Sequence, residues 1–151
     1  MALVQIGAHD DIAAAMRAFP REHAMLEKAA GALSNIVINC AAMHLYISFL
    51  NFSAAEAKAM LAQPPYRVHE LVGDALRAFP AATGLQREAC WLLKNLSSLP
   101  ANGDAIVQAG VHRAVLAVLK GGKDAAVAEQ ALVVVRHLCN CCASFFVVFL
   151  C

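Results

Sequence analysis

The sequence predicts an all-α protein, an α-solenoid of about three stacked helical units. Two observations carry this. The chain repeats itself along its length, and each copy places apolar residues at helical rather than strand spacing. Composition agrees: 60% of the 151 residues are hydrophobic, with Ala, Leu and Val dominant, which suits helices packed on helices.

The repeats are direct. "AMRAFPREHAMLEKAAGALSNI" (15–36) aligns without a gap to "ALRAFPAATGLQREACWLLKNL" (75–96), 60 residues on. "LVQIGAHDDIAAAMRAF" (3–19) aligns to "IVQAGVHRAVLAVLKGG" (106–122), and "LQREACWLLKNL" (85–96) to "VAEQALVVVRHL" (127–138). The last pair gives a unit of about 42 residues.

Each unit has three parts. A short helix ends at a glycine, as in "AIVQAG" (105–110), where Gly supplies the left-handed C-cap. A second helix starts near a histidine and stops at Pro20, at Pro80 and at Gly121-Gly122 in the three copies. A longer third helix follows, expected over 22–35, 84–97 and 124–138. Its apolar stripe is Met25, Ala29, Ala32, Leu33 and Ile36 in the first copy. It is Leu85, Ala89, Leu92, Leu93 and Leu96 in the second, and Val127, Ala131, Val134, Val135 and Leu138 in the third. A unit of this size cannot bury such stripes alone and must stack on its neighbour. The units are expected at about 1–35, 53–97 and 98–139.

Two stretches interrupt the pattern. "IVINCAAMHLYISFLN" (36–51) is an atypical apolar insertion, and "NCCASFFVVFLC" (140–151) an atypical apolar tail. Neither contains Asp, Glu, Lys or Arg, and each is shorter than the roughly 20 residues of a spanning helix. Three readings stand for them: translated non-coding sequence, extra packed helices, or, for the tail, a membrane-contacting segment. With either end uncapped, self-association is expected.

Twelve Lys and Arg against 11 Asp and Glu argue against a nucleic-acid binder, which needs a basic surface to neutralise phosphates. Cys40 and Cys90 read as small buried hydrophobes; Cys139, Cys141, Cys142 and Cys151 crowd the C-terminus. No basic, apolar leader opens the chain, so reduced thiols and a cytoplasmic location are expected, with the nucleus as the alternative. His9, His69 and His112 recur at one repeat position. Helices packed about 8–10 Å apart cannot converge three such side chains on bonds of about 2 Å, so they read as helix-start residues. "CNCC" (139–142) has no second cysteine pair to complete a zinc site. No phosphate loop, nucleophile elbow or paired-carboxylate motif appears. No enzyme, metal or cofactor is expected.

"REACWLLKNLSSLPANGDAIVQAGVHRAVLAVLK" (87–120) resembles an armadillo repeat: a third helix ending in Asn-Leu, a short loop, a first helix ending in Ala-Gly, then a second helix. The resemblance spans about three units. It implies a right-handed solenoid whose third helices line a concave face that binds protein.

Trp91 and Asn95 do not belong to their helix's apolar stripe; they sit roughly 105–145° from its centre. Importin-α-like members of the family carry Trp-x-x-x-Asn at this place, where an amide meets peptide backbone and an indole packs on a side-chain stem or cation. The matching residues are Gly31 with Asn35, and Val133 with His137. The resemblance therefore implies partner-binding roles for Trp91, Asn95, Asn35, Glu88 and His137. The alternative is structural: Trp91 covers the Gly31 side of the next unit and Asn95 closes the loop after its helix. The expected function is a non-enzymatic scaffold for an extended peptide or partner protein on the concave face. A membrane-associated adaptor, anchored through the tail or S-acylated cysteines, is the alternative.

Overall fold

A computed structural model describes residues 7–43, 54–121 and 124–141. Helix makes up 84% of the described residues and no strand occurs among them, so the all-α class holds. The helices are α1 (Ala8–Ala18), α2 (His23–Met43), α3 (Ala54–Ala62), α4 (Val68–Ala78), α5 (Thr83–Ser97), α6 (Pro100–Gln108), α7 (Val111–Gly121) and α8 (Ala125–Cys141).

Local chemistry sets the boundaries. A residue before proline is pushed out of the α region. Accordingly Phe19 and Phe79, which precede Pro20 and Pro80, take φ −124° and −128° and end α1 and α4. Pro100 opens α6, where its missing N–H costs nothing. The Asp124 carboxylate accepts from the N–H groups of Ala126 and Val127 and caps α8. Gly7 and Gly110, at one repeat position, both adopt positive φ (74° and 69°). The middle copy places Arg67 there at φ 45°, a conformation that a side chain makes unfavourable.

The helices that repeat also pack together. The long helices lie side by side, with α5 between α2 and α8; α4 lies between α1 and α7; α3 packs on α6. One core runs through them, including Leu33, Leu61, Val72, Leu93, Ile106, Val115 and Val134. Gly73 lets α4 and α7 close up: a Cβ there would lie 2.8 Å from Val111 Cγ2.

The middle position of α5 explains where the apolar stripes differ from expectation. All five stripe residues of α5 are buried, and so are Gln86, Cys90 and Ser97. On α2, Met25 and Ala32 are only half-buried, while Leu26, Ala30 and Val37 join the core. On α8, Val135 is half-buried. Leu132 is 58% exposed, although its counterparts Cys90 and Ala30 are fully buried. Among the described residues α2 and α8 each pack on one other long helix, α5, and part of each stripe is left exposed. α2 also runs past the expected end at 35, to Met43, and Ile36 and Val37 are core residues. The rest of the insertion (44–51), the Cys40 side chain and residues 142–151 lie outside the described residues. No helix among the described residues is long and apolar enough to cross a membrane.

The three repeat histidines are buried at the starts of α1, α4 and α7. His9 meets Tyr66 edge-on, with ring centroids 5.1 Å apart. Arg17 donates to the Pro65 and Tyr66 carbonyls and ties α1 to the same turn. Burial lowers the pKa of His69, against the nearby Glu70 carboxylate, and that of His112, where Arg113 adds to the effect.

Two predictions follow from these placements. The folded state binds protons at His69 and His112 less well than the unfolded chain, whose histidines titrate near 6.5. Their contribution to stability is thus complete above pH 6.5 and is lost as pH falls below it. Urea melts at pH 7.5 and 5.5 should show the lower midpoint at 5.5, and His69→Gln should narrow the difference. Separately, Arg67→Gly should stabilise by about 0.5–1 kcal/mol, the relief of a left-handed side chain less the added backbone entropy of glycine. An unchanged or lower melting temperature would show that the turn imposes no strain.

Candidate functional site

The stripe that buries Leu92, Leu93 and Leu96 turns Trp91 outward, and Trp91 is 40% exposed. Lys94, one turn on, places its Nζ 5.0 Å from the indole centroid, within range of a cation–π contact. The same ammonium donates to Gln130 Oε1 on α8 at 2.8 Å. The indole face is therefore shared with the chain's own cation.

Asn95 is half-buried. Its backbone carbonyl accepts from Ser98 Oγ at 2.8 Å, but its side-chain Nδ2 is buried without a hydrogen-bond partner. An unmet buried donor costs about 1–3 kcal/mol. The loop after α5 is closed by a different amide. Asn102 on α6 is fully buried and donates through Nδ2 to the Lys58 carbonyl of α3 (2.9 Å) and the Leu96 carbonyl of α5 (3.1 Å). The space over Gly31 is likewise filled by another residue. Glu88 Oε2 lies 3.1 Å from where a Gly31 Cβ would stand, and Glu88 Oε1 lies 3.4 Å from Arg87 Nε. In this structure, Glu88 and Asn102 thus occupy the two structural places that the sequence offered to Trp91 and Asn95.

On α8, His137 Nδ1 lies 3.1 Å from Ser97 Oγ. Ser97 is fully buried and donates to the Lys94 carbonyl at 3.1 Å, so this pairing joins α5 to α8 and presents no hydroxyl at the surface. Burial lowers the His137 pKa, and the neighbouring Arg136, Lys94 and Lys58 push it further down, against a hydrogen bond with the Lys94 backbone. Lys58 reaches from α3 to donate to Ser98 Oγ at 2.7 Å, and partial burial lowers its pKa. Cys90, inside the core beside Trp91 in sequence, has its thiol pushed up to about 12 by burial and is no nucleophile.

Trp91 and Asn95 thus lie one turn apart on α5, and His137 meets Ser97 of that helix from the adjacent α8. Asn35 is exposed on α2 at the same repeat position, on the other side of α5. Lys58, Lys94, Ser97, Asn102 and Gln130 complete the neighbourhood, and sequence reasoning missed them. Only Lys94 had a local signal, its three-residue spacing from Trp91. Lys58 and Gln130 arrive through packing. Two cavities lie elsewhere. One of about 390 Å³ includes Arg67, His69, Glu70 and Gln108 in its lining, and one of about 440 Å³ includes Met16, Arg17, Leu71 and Asp74. In comparison with known proteins, the chain matches no family model, no curated sequence and no solved structure.

Asn102→Ala removes both donated hydrogen bonds, although the Leu96 carbonyl keeps the Leu99 N–H, so it should destabilise by about 2 kcal/mol. A chemical melt that moves by less than a quarter of that would show that Asn102 is not what ties α3 to α5.

Proposed function

We propose that the chain is a right-handed α-solenoid of about three armadillo-type units, and that it is a non-enzymatic scaffold. It holds an extended peptide, or an extended segment of a partner protein, along the concave face that α5 and α8 line. The observation that carries this reading is the exposed Trp91, one turn before an asparagine with an unmet amide donor. The side-by-side packing of α2, α5 and α8 supports it, because equivalent residues (Asn35, Asn95, His137) then recur along one direction. Rotation of the Asn95 amide toward solvent would let a ligand backbone carbonyl satisfy it. A ligand side-chain stem would lie on the indole. Affinity would come from these few anchors rather than from contact area.

Trp91→Ala should then cost well under the about 3–5 kcal/mol of emptying a buried aromatic site. It should abolish binding of extended peptides selected from a library on the parent protein. Asn95→Ala should weaken that binding by roughly 0.5–1.5 kcal/mol for each hydrogen bond lost. A thermal melt beside a binding curve decides. A large loss of stability with binding intact makes Trp91 a packing residue and removes the groove.

A further inference from the structure

We propose that this face selects an acidic segment: an extended peptide whose Asp or Glu carboxylates sit between Lys58 and Lys94, beside Trp91. This rests on the groove reading above and adds the chemistry of its ligand.

The indole is already occupied. Lys94 already lies over Trp91 at 5.0 Å. A ligand cation seeking the same ring would have to displace it and then sit beside it. A ligand carboxylate meets the opposite situation, since the half-buried ammonium is held in place beside the exposed ring.

Counter-charge is also missing among the described residues. Arg77, Arg67, Arg87 and Lys28 each have a carboxylate within 3.4 Å, from Asp74, Glu70, Glu88 and Glu27. Lys94 and Lys58 instead bond to a neutral amide and a neutral hydroxyl, Gln130 Oε1 and Ser98 Oγ. His137, within the influence of Lys94, Lys58 and Arg136, sits amid cations. Three positive groups around one imidazole form a local field that favours an anion. Glu88, the acidic residue one turn before Trp91, is directed to α2, over Gly31. Lysines are compact point charges without a guanidinium's fork, and they suit single carboxylates spaced along a strand-like peptide. The orphaned Asn95 donor adds an amide contact to the same ligand.

Trp91 is the chain's single tryptophan, so its emission reports occupancy in the parent and the lysine variants, and the anisotropy of fluorescein-labelled probes reads binding in every variant, Trp91→Ala included. The full chain is titrated with four probes of matched length: a peptide alternating Glu with Ser, its Gln counterpart, its Lys counterpart, and oligothymidylate. The Glu peptide should bind at least ten-fold more tightly than the Gln peptide and should weaken as salt rises from 50 to about 500 mM. The double variant Lys58→Gln, Lys94→Gln should erase that preference. The exposed Arg136→Gln should reduce it if the double variant melts early. Tighter binding of the Lys peptide or of oligothymidylate overturns the proposal, and so does a Glu preference that survives the lysine changes. Equal binding of the Gln and Glu peptides, lost in Trp91→Ala, overturns the acidic preference and leaves the groove standing. Binding of no probe peptide, or binding indifferent to Trp91→Ala, removes both.

Discussion

Helix α5 is held on both sides by helices of its own kind, and the rest of the structure depends on that double contact. Its stripe is buried to the last residue, and the polar positions beside the stripe, Gln86 and Ser97, are buried with it. Such positions survive because each has a partner. Gln86 Nε2 donates to the Pro80 carbonyl and closes the turn into α5, while Ser97 meets the Lys94 carbonyl and His137. A buried polar group without a partner would cost as much as several good contacts return. Among the described residues the flanking helices α2 and α8 each meet one long helix, and their stripes are more exposed.

Two-sided burial also decides what remains for function. With α2 and α8 covering its flanks and the shorter helices behind, α5 has one arc left, and Trp91 and Asn95 lie on it. The same packing carries Gln130 and His137 of α8, and Lys58 of α3, to that arc. The candidate site is therefore a product of stacking. The unit 53–97 alone would hold Lys58, Trp91 and Lys94, but neither Gln130, which fixes Lys94, nor His137.

The parts of the fold that were legible in the sequence are those with local causes. Pro20 and Pro80 announced the ends of α1 and α4, Gly110 its left-handed turn, and the stripe of α5 its buried face. Effects of neighbours were not legible. Met25 and Val135 fit the apolar stripe, yet they are half-buried, and among the described residues α2 and α8 have one long neighbour each. The continuation of α2 to Met43 lacks the Pro or Gly that would have stopped it. At the site, the outward direction of Trp91 followed from helical period alone. Glu88 over Gly31, Asn102 between two carbonyls and the two lysines bonded to neutral partners required helices distant in sequence to meet.

The claim on which everything else rests is that α5 is clamped between α2 and α8. Amide hydrogen exchange of the intact chain, followed by mass spectrometry at peptide resolution, tests it most directly. Peptides covering 85–96 should exchange most slowly in the molecule, slower than the matching parts of α2 (25–36) and α8 (127–138). Exchange in 85–96 as fast as in either flanking helix would contradict the clamped arrangement, and the site built upon it would lose its support.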